Sequence, residues 1–320
     1  MTFVERLEDR LLSNPRADRV RDVAALTRRS MRSKRGLFRA EGPQNVREAV
    51  RLALDAARPP HRGPSLPALD AVYVTRQELE RHPGIAADLE ALGSRRDVFL
   101  RMVTPEVLGA MTDAVTPQGM LAVCRLPEVS VLDALADARL VCALARVQDP
   151  GNAGTVVRAA DAAGAGAVVF SEGSVDPFNP KAVRSTAGSL FHLPVLTGVE
   201  LSSFVASARG RSLRVLAADG YAQATVDELA DAALLRSAGV APVVEHDVRL
   251  EDPTVWLFGN EAQGLSDDER DLADLAVAVP LYGRAESLNV GTAATVCLYA
   301  SARAQRRADS GVVTVRRGTP

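Results

Sequence analysis

The sequence predicts an α/β protein in which helices lie on both faces of a mostly parallel sheet. Aromatic residues make up only 4% of the 320 residues, and Ala, Val and Leu dominate the apolar set, which favours helices packed on a sheet over an aromatic-rich β-sandwich. From residue 139 onward, short and almost continuously apolar segments alternate with helix-like segments, as in buried parallel strands joined by crossover helices. The length is sufficient for two hydrophobic cores.

The first of these cores is predicted in a smaller α/β domain over residues 1–125. Up to about residue 57 we expect helices separated by an Arg-rich loop. The patterns then predict strands at 71–75, 98–103 and 120–124, with helices at 77–92 and from Pro105. Residues 126–138 are predicted to be a linker.

The second core is predicted in a larger domain over residues 139–308. A flexible tail is predicted over residues 309–320. The expected strands are 140–147, 166–170, 193–199, 213–218, 254–260 and 275–281. The expected helices are 153–165, 179–190, 201–208, 266–272 and 287–307.

Charge is unevenly distributed along the chain. Between Arg19 and Arg39 there are eight basic residues and one acidic residue, a net charge of +7, whereas the stretch from Asp219 to Ala278 has a net charge of −11. A basic cluster of this size predicts a surface for a polyanion. The candidate residues of this polyanion surface are Arg28, Arg29, Arg32, Lys34, Arg35 and Arg39.

Several classes of protein are disfavoured. No apolar run approaches the roughly 20 residues of a membrane span, and the first residues lack the apolar core of a secretory signal, so we expect a cytoplasmic protein without membrane contact. The three cysteines are far apart and form no cluster with histidine; we expect reduced thiols and no bound metal. No Ser-His-Asp triad is apparent.

Three Gly-rich junctions between strands and helices could hold a ligand, at residues 148–158, 259–266 and 280–289. Ligands of parallel sheets bind at the carboxyl ends of strands, where such loops gather. None of the three matches the dinucleotide fingerprint or the P-loop. From the residues alone, the class of ligand stays open.

The same junctions resemble the three motifs of the SpoU, or TrmH-type, RNA ribose 2′-O-methyltransferases of the SPOUT superfamily. The first motif, N-x-G-x-x-x-R-x-A-x-x-x-G, covers residues 152–164; G-N-E-x-x-G-L covers 259–265; and P-L with S-L-N covers 280–289. The segments RGLFRAEGPQNVREAV and TPQGMLAV resemble an L30e-like substrate-binding domain. One departure is Gly291, where members often have serine, which casts doubt on a cap of the last helix there.

The resemblance implies a C-terminal trefoil knot and S-adenosylmethionine as the cofactor. It implies catalytic roles for Arg158, Asn152, Glu261, Ser287 and Asn289, with Asn152 orienting the substrate and Glu261 bracing the loop. Arg158 has two possible roles, holding a phosphate beside the target ribose or assisting removal of the 2′-hydroxyl proton. Ser287 and Asn289 also read as an N-cap and first-turn pair. The implied cofactor-binding residues are Gly259, Val279, Leu281 and Leu288.

The predicted function is S-adenosylmethionine-dependent methylation of a ribose 2′-hydroxyl in RNA, with 23S rRNA as the preferred target. The alternatives are methylation of tRNA, a non-catalytic RNA-binding assembly factor of the same fold, and a nucleotide-dependent enzyme with an ordinary Rossmann site. A homodimer through the catalytic domain is expected, because the closing helix is apolar around too much of its circumference for one sheet face to cover.

Overall fold

A computed structural model describes residues 2–55, 66–93, 98–243 and 246–310. The chain divides into two compact units. Unit 1 comprises Met1–Val129 and Asp176–Pro194, and unit 2 comprises Ser130–Val175 and Val195–Pro320. The boundary at Val129 falls inside the segment 126–138, whereas the assignment of Asp176–Pro194 to unit 1 has no counterpart in the sequence analysis.

Unit 1 is built on a four-stranded sheet. Its strands are β1 Leu37–Glu41, β2 Ala68–Val74, β3 Phe99–Met102 and β4 Met120–Arg125, in the order β1-β4-β2-β3. The outer pair β2 and β3 is parallel, and β4 runs antiparallel to both β1 and β2. Its helices are α1 Phe3–Glu8, α2 Asp18–Ala24, α3 Arg29–Arg35, α4 Pro43–Asp55, α5 Arg76–Arg81, α6 Pro83–Gly93, α7 Pro105–Met111 and, from the second segment, α10 Pro180–Thr186.

Three features of unit 1 differ from the sequence prediction. The Arg-rich segment is the helix α3 instead of a loop. The single helix predicted over 77–92 is two helices, because Pro83 cannot continue α5 and opens α6. The strand β1 was not predicted, since its charged residues Arg39 and Glu41 are buried and conceal the apolar pattern of a strand.

Unit 2 is built on a seven-stranded sheet in which every observed strand pair is parallel. The strand order is β7-β6-β5-β10-β8-β11-β9. The strands are β5 Leu140–Leu144, β6 Ala167–Ser171, β7 Val195–Val199, β8 Arg214–Ala218, β9 Ala224–Thr225, β10 Thr254–Phe258 and β11 Leu275–Ala278. The parallel α/β architecture predicted for this half of the chain is confirmed.

The helices of unit 2 are α8 Val131–Ala134, α9 Pro150–Ala163, α11 Leu201–Gly210, α12 Val226–Ser237, α13 Asp267–Asp271 and α14 Val290–Ser310. They follow the predicted alternation with two additions, α12 and the short helix α8, which lies inside the segment 126–138 that was predicted to be a linker. The helix α12 was not predicted, although Thr225 and Glu228 form a capping box at its start, a signal present in the sequence. The predicted tail begins inside α14, and residues 311–320 lie outside the described part of the chain.

The closing helix α14 packs against α9 and α12 and against the central strands β5, β8 and β10. These neighbours bury Ala294, Cys297, Leu298 and Ala304. The chain therefore covers most of the apolar circumference by itself, and only Val296 and Tyr299 remain as large exposed hydrophobic residues of α14.

Candidate functional site

The candidate site of unit 2 lies where β5 and β10 end side by side. Phe258 pairs with Leu144, so both strands finish at the same level of the sheet. The chain leaves β5 toward β6 on one side and leaves β10 toward β11 on the other. This reversal of direction opens a crevice at the carboxyl ends of the two strands, the usual ligand position in a parallel sheet.

The first loop runs from β5 into α9 and presents Asn152. Asp149 caps the helix, and its Oδ1 accepts a 2.8 Å hydrogen bond from the Asn152 N–H. Pro150 occupies the first helical position, where its missing N–H costs nothing. Asn152 is thus fixed in the first turn of α9, with its side chain available for contacts outside the helix.

The second loop follows β10 and brings Glu261 against the first loop. Its Oε1 accepts hydrogen bonds from Asn152 Nδ2 at 3.1 Å and from the Asp149 N–H at 3.2 Å, and its Oε2 accepts one from the Gln148 N–H at 3.1 Å. Partial burial alone would raise the pKa of this carboxyl, but the hydrogen bonds from Asn152 and the backbone outweigh it and lower the pKa below its ordinary value. Glu261 therefore ties the two loops together as a carboxylate.

The third loop supplies Asn289 at the start of α14. Its Nδ2 donates to Asn152 Oδ1 at 2.9 Å, and its Oδ1 accepts from the Gly291 N–H at 2.9 Å. Asn289, and not Ser287, is thus the residue that caps α14. The cap persists despite glycine at position 291; a Cβ there would lie 2.9 Å from Thr155 Cγ2, so glycine lets α14 approach α9 closely.

The structure thus brings together three of the five candidate catalytic residues, Asn152, Glu261 and Asn289. The other two, Arg158 and Ser287, take no part in their hydrogen bonds. Arg158 is exposed on α9, and Ser287 is exposed before α14. Within the described part of the chain, neither side chain has a hydrogen bond or ion pair of its own. Both remain available to a bound molecule.

The candidate cofactor-binding residues lie on the second and third loops. Gly259 directly follows β10, and a Cβ on it would fall 2.1 Å from the Gly264 carbonyl carbon and 2.2 Å from the Leu265 nitrogen. The loop can therefore fold back on itself only with glycine at this position. Val279 directly follows β11 in the chain and Leu288 comes two residues before α14; both are half-buried, and Leu281 is exposed.

Arg146, which sequence reasoning missed, also joins these loops. Its guanidinium binds Glu269 through two hydrogen bonds of 2.6 and 2.7 Å, and its carbonyl accepts from Asn260 Nδ2 at 2.8 Å. Its φ of 55° is left-handed, which is uncommon for a residue other than glycine. Nothing in the sequence signals this conformation, whereas Asn260 lies within the recognised G-N-E motif.

The basic cluster of unit 1 is only partly available to RNA. Four of its six candidate residues are exposed: Arg28, Arg29, Lys34 and Arg35. Of these, Arg35 forms an ion pair with Asp22 at 2.6 Å.

Two of the six candidate RNA-binding residues are buried. Arg32 pairs with Asp176 at 2.5 Å and donates to two backbone carbonyls, and Arg39 pairs with Asp113 at 2.7 Å. Because burial removes both from contact with a polyanion, we correct the candidate surface to the four exposed residues.

The cysteines and the metal-binding residue types add no further site in the part of the chain that the structure describes. Cys124, Cys142 and Cys297 are free and buried, and burial raises the pKa of each thiol above its ordinary value. Among the described residues no cluster of His, Cys, Asp or Glu is suited to a metal ion, and no helix is long and apolar enough to cross a membrane.

A parallel α/β sheet with a polar site at the carboxyl ends of its central strands defines a ligand-binding α/β protein. The profile of the SpoU rRNA Methylase family matches residues 139–299. The 23S rRNA (guanosine(2553)-2′-O)-methyltransferase RlmP of Bacillus subtilis is 32% identical over 288 residues, covering 90% of this chain and 97% of that protein. The chain belongs to the SpoU rRNA methylase family, which confirms the resemblance of its three motifs.

Solved structures agree with this assignment along the length of the chain. An AdoMet-bound rRNA methyltransferase from Sinorhizobium meliloti superimposes with a TM-score of 0.71 at 25% identity, covering 92% of this chain and 97% of that one. The SpoU methyltransferase AviRb from Streptomyces viridochromogenes, in complex with AdoMet, superimposes with a TM-score of 0.70 at 25% identity, covering 91% of this chain and all of that one.

Proposed function

We propose that this protein transfers a methyl group from S-adenosylmethionine to the ribose 2′-hydroxyl of a nucleotide in ribosomal RNA, preferably 23S rRNA. The observation that carries the proposal is the hydrogen-bonded chain from Asn289 through Asn152 to Glu261, which joins the three motif loops at one edge of the sheet. Similarity to RlmP and to the AdoMet-bound structures supports the substrate and the cofactor.

The four candidate cofactor-binding positions fit S-adenosylmethionine because they offer backbone groups and aliphatic side chains in place of charges. At Gly259 the backbone packs directly against the backbone of Gly264 and Leu265, and Val279, Leu281 and Leu288 belong to the segment that forms the third loop. When bound, this cofactor supplies an activated methyl group on a sulfonium. The residues of this chain hold it, exclude water and position the ribose, and a dry site favours a transfer that consumes positive charge.

A cofactor held by these loops would supply its methyl group to the ribose 2′-oxygen and be left as a neutral thioether, and the 2′-hydroxyl proton would pass to water. Asn152 orients the nucleotide, because Glu261 and Asn289 restrain both ends of its amide. Arg158 holds the phosphate beside the target ribose. A guanidinium rarely loses its proton in proteins, so the phosphate clamp is the role we assign.

The remaining parts of the proposal concern RNA binding and assembly. Unit 1 carries the exposed basic residues Arg28, Arg29, Lys34 and Arg35 and supplies RNA affinity, as an L30e-like domain would. We also propose that unit 2 contains a trefoil knot and that the functional domains are residues 1–125 and 139–308. The proposed location is the cytoplasm. Val296 and Tyr299 mark the face through which two chains form a homodimer.

The decisive experiment compares 2′-O-methylated positions in total RNA from cells with and without the gene, together with transfer of a tritiated methyl group to purified 23S rRNA and tRNA. We expect one position in 23S rRNA to depend on the gene. Methylation of tRNA alone would overturn the substrate, and the absence of transfer to either RNA would overturn the reaction and favour an assembly factor.

A further inference from the structure

A cluster of arginine and aromatic side chains lies at one edge of the sheet of unit 1, and the proposed reaction does not use it. Its members are Arg19 on α2, Tyr73 on β2, and Phe99 and Arg101 on the edge strand β3. Phe99 and Arg101 are two residues apart on one strand, and Tyr73 is the register partner of Arg101, so these three side chains share a face of the sheet. We refer to the four residues as the Arg19 cluster.

The two guanidinium groups of the cluster lie over one aromatic ring. The Cζ atom of Arg19 is 3.5 Å from the centroid of the Phe99 ring, and that of Arg101 is 4.7 Å from the same point. The two positive charges are therefore within about 8 Å of each other. The negative face of the ring attracts each cation, but the cations repel one another.

Arg19 is held in place without using its terminal N–H groups. Its Nε donates to the Tyr73 hydroxyl at 2.8 Å. Tyr73 is only 1% exposed, and its ring packs 6.0 Å from that of Phe99, so the hydroxyl is a fixed anchor. The side chain of Arg19 is nevertheless exposed, and its two Nη groups make no hydrogen bond within the described residues. A restrained guanidinium loses less conformational freedom on binding than a free one.

No carboxylate neutralises either cation in the part of the chain that the structure describes. The acidic residue of β2, Asp70, pairs with Arg125 at 3.4 Å instead. Arg19 and Arg101 are thus neighbouring charges that repel each other and have no counterion. An anion with several acceptor oxygens relieves this repulsion and accepts charge-assisted hydrogen bonds from both groups.

We propose that Arg19 and Arg101 together hold one backbone phosphate of the substrate RNA, an inference that rests on the proposed action on RNA. The planar array of N–H donors of an arginine matches the oxygens of a phosphate. The cluster adds a contact of fixed geometry to the four exposed basic residues already assigned to RNA binding. Contacts to phosphate set the position of an RNA and carry no sequence information, so the role of the cluster is to place the RNA on unit 1.

The test measures binding of the full chain to 23S rRNA from cells without the gene, by filter binding at several salt concentrations. Arg19→Gln and Arg101→Gln should each lower the affinity about tenfold, as for a lost hydrogen bond to a charged group. Because the two residues share one phosphate, the double variant should lose much less than 100-fold. Its slope of log affinity against log salt should fall by about 0.7 to 0.9, the value for one phosphate.

The control removes the same charge from two arginines of unit 1 that have carboxylate partners. Arg51 and Arg81 are exposed and pair with Glu48 at 3.5 Å and with Glu78 at 2.7 Å. The double variant Arg51→Gln/Arg81→Gln should bind 23S rRNA with the affinity and the salt slope of the wild type.

Two further variants distinguish a fixed phosphate site from a diffuse positive surface. Tyr73→Phe removes the hydrogen bond to Arg19, and Phe99→Leu removes the ring beneath both guanidinium groups, while every charge is kept. Each should lower the affinity about threefold to tenfold, as for one lost interaction of this size, and leave the salt slope unchanged. Thermal melting by circular dichroism checks folding. Inorganic phosphate at 5 mM and constant ionic strength should not displace the rRNA, since a free ion lacks the other contacts of the chain.

The proposal is overturned if Arg19→Gln and Arg101→Gln bind rRNA like the wild type, if the double variant loses the full product of the single effects, or if folded Tyr73→Phe and Phe99→Leu keep wild-type affinity. Displacement of the rRNA by inorganic phosphate would assign the site to the free ion instead. Methyl transfer by the wild type separates the two proposals. Transfer with unchanged binding of the variants removes the phosphate site alone, whereas weaker binding of the variants without transfer to any RNA removes the proposed function alone.

Discussion

Asn289 and Asn152 are 137 residues apart, and their side chains share a hydrogen bond of 2.9 Å. The direction of this bond is set by Glu261. A carboxylate only accepts, so Asn152 must present its amino group to Glu261 and its oxygen to Asn289, and Asn289 must then present its own oxygen to the Gly291 N–H. One carboxylate therefore fixes the orientation of two amides and the cap of α14.

Replacing Glu261 should weaken catalysis in proportion to the hydrogen bonds lost. In Glu261→Gln one of the two accepting oxygens becomes a donor, and we expect kcat/KM to fall about tenfold, the effect of one hydrogen bond to a charged group. Glu261→Ala removes all three bonds, for which we expect a loss of roughly 100-fold. Asp231→Asn, a neutralised carboxylate exposed on α12, is the control. Equal activity of Glu261→Ala and wild type would contradict the role of Glu261.

The pH dependence of the wild type provides a second check on Glu261. Its pKa is lowered in the folded protein, so the charged form and its hydrogen bonds are fully present above the ordinary glutamate value of about 4.3 and are lost only as the pH falls through the lower value. We expect no acidic limb from this group in kcat/KM above about pH 5. An acidic limb above pH 5 that disappears in Glu261→Gln would refute this.

Arg158 should be required for transfer and dispensable for cofactor binding. We expect Arg158→Ala to lower kcat by roughly 100-fold or more, as for a lost substrate-positioning contact, while calorimetry shows nearly normal binding of S-adenosylmethionine. Because a phosphate clamp needs charge, Arg158→Lys should retain more activity than Arg158→Ala. Arg211→Ala, an exposed arginine of the same unit, serves as the control. Near-normal turnover of Arg158→Ala would rule out the assignment.

Gly259→Ala should disrupt the second loop. The added Cβ would lie 2.1 Å from a backbone carbon and 2.2 Å from a backbone nitrogen, so the loop must open and the binding of S-adenosylmethionine should be lost, with a lower melting temperature. Gly283→Ala meets no atom within 4 Å and should behave like the wild type. If both variants bind the cofactor normally by calorimetry, Gly259 does not shape the site.

The four exposed basic residues of unit 1 should contribute to the salt dependence of RNA binding. Replacing Arg28, Arg29, Lys34 and Arg35 with alanine should reduce the slope of log affinity against log salt by about 3, if each residue neutralises one phosphate. A variant that replaces four exposed arginines of unit 2 has the same change in charge and should keep most of the slope; those residues are Arg211, Arg214, Arg249 and Arg303. An unchanged slope in the first variant would exclude this surface.

The proposed homodimer depends on the exposed face of α14. Val296 is 37% exposed and Tyr299 is 48% exposed, so we expect Val296→Arg to give a monomer by light scattering, because a charge cannot be buried unpaired at low cost. Ala206→Arg, on the exposed side of α11, should not change the molar mass. A dimer that persists in Val296→Arg would show that another face is used.

The sequence carries enough information to predict the parallel sheet of unit 2 and the three loops, since apolar strands and Gly-rich junctions are local patterns. It does not reveal interactions between distant segments. The strand that contains Arg39 and Glu41 was missed because their partners, Asp113 and Arg184, lie 74 and 143 residues away. For the same reason Arg32 was mistaken for a surface residue, and the left-handed conformation of Arg146 has no local signature.

The assignment of Asp176–Pro194 to unit 1 has a consequence for the order in which the chain folds during synthesis. Phe38 packs against Phe178 and Phe191, with ring centroids 5.0 and 6.3 Å apart, and buried Arg32 finds its carboxylate in Asp176. A ribosome that has released only the first 129 residues therefore exposes a chain with an unfinished core and an unpaired buried charge. The N-terminal unit can mature only after β5, α9 and β6 have also been made, so the first part of unit 2 leaves the ribosome before unit 1 has finished folding.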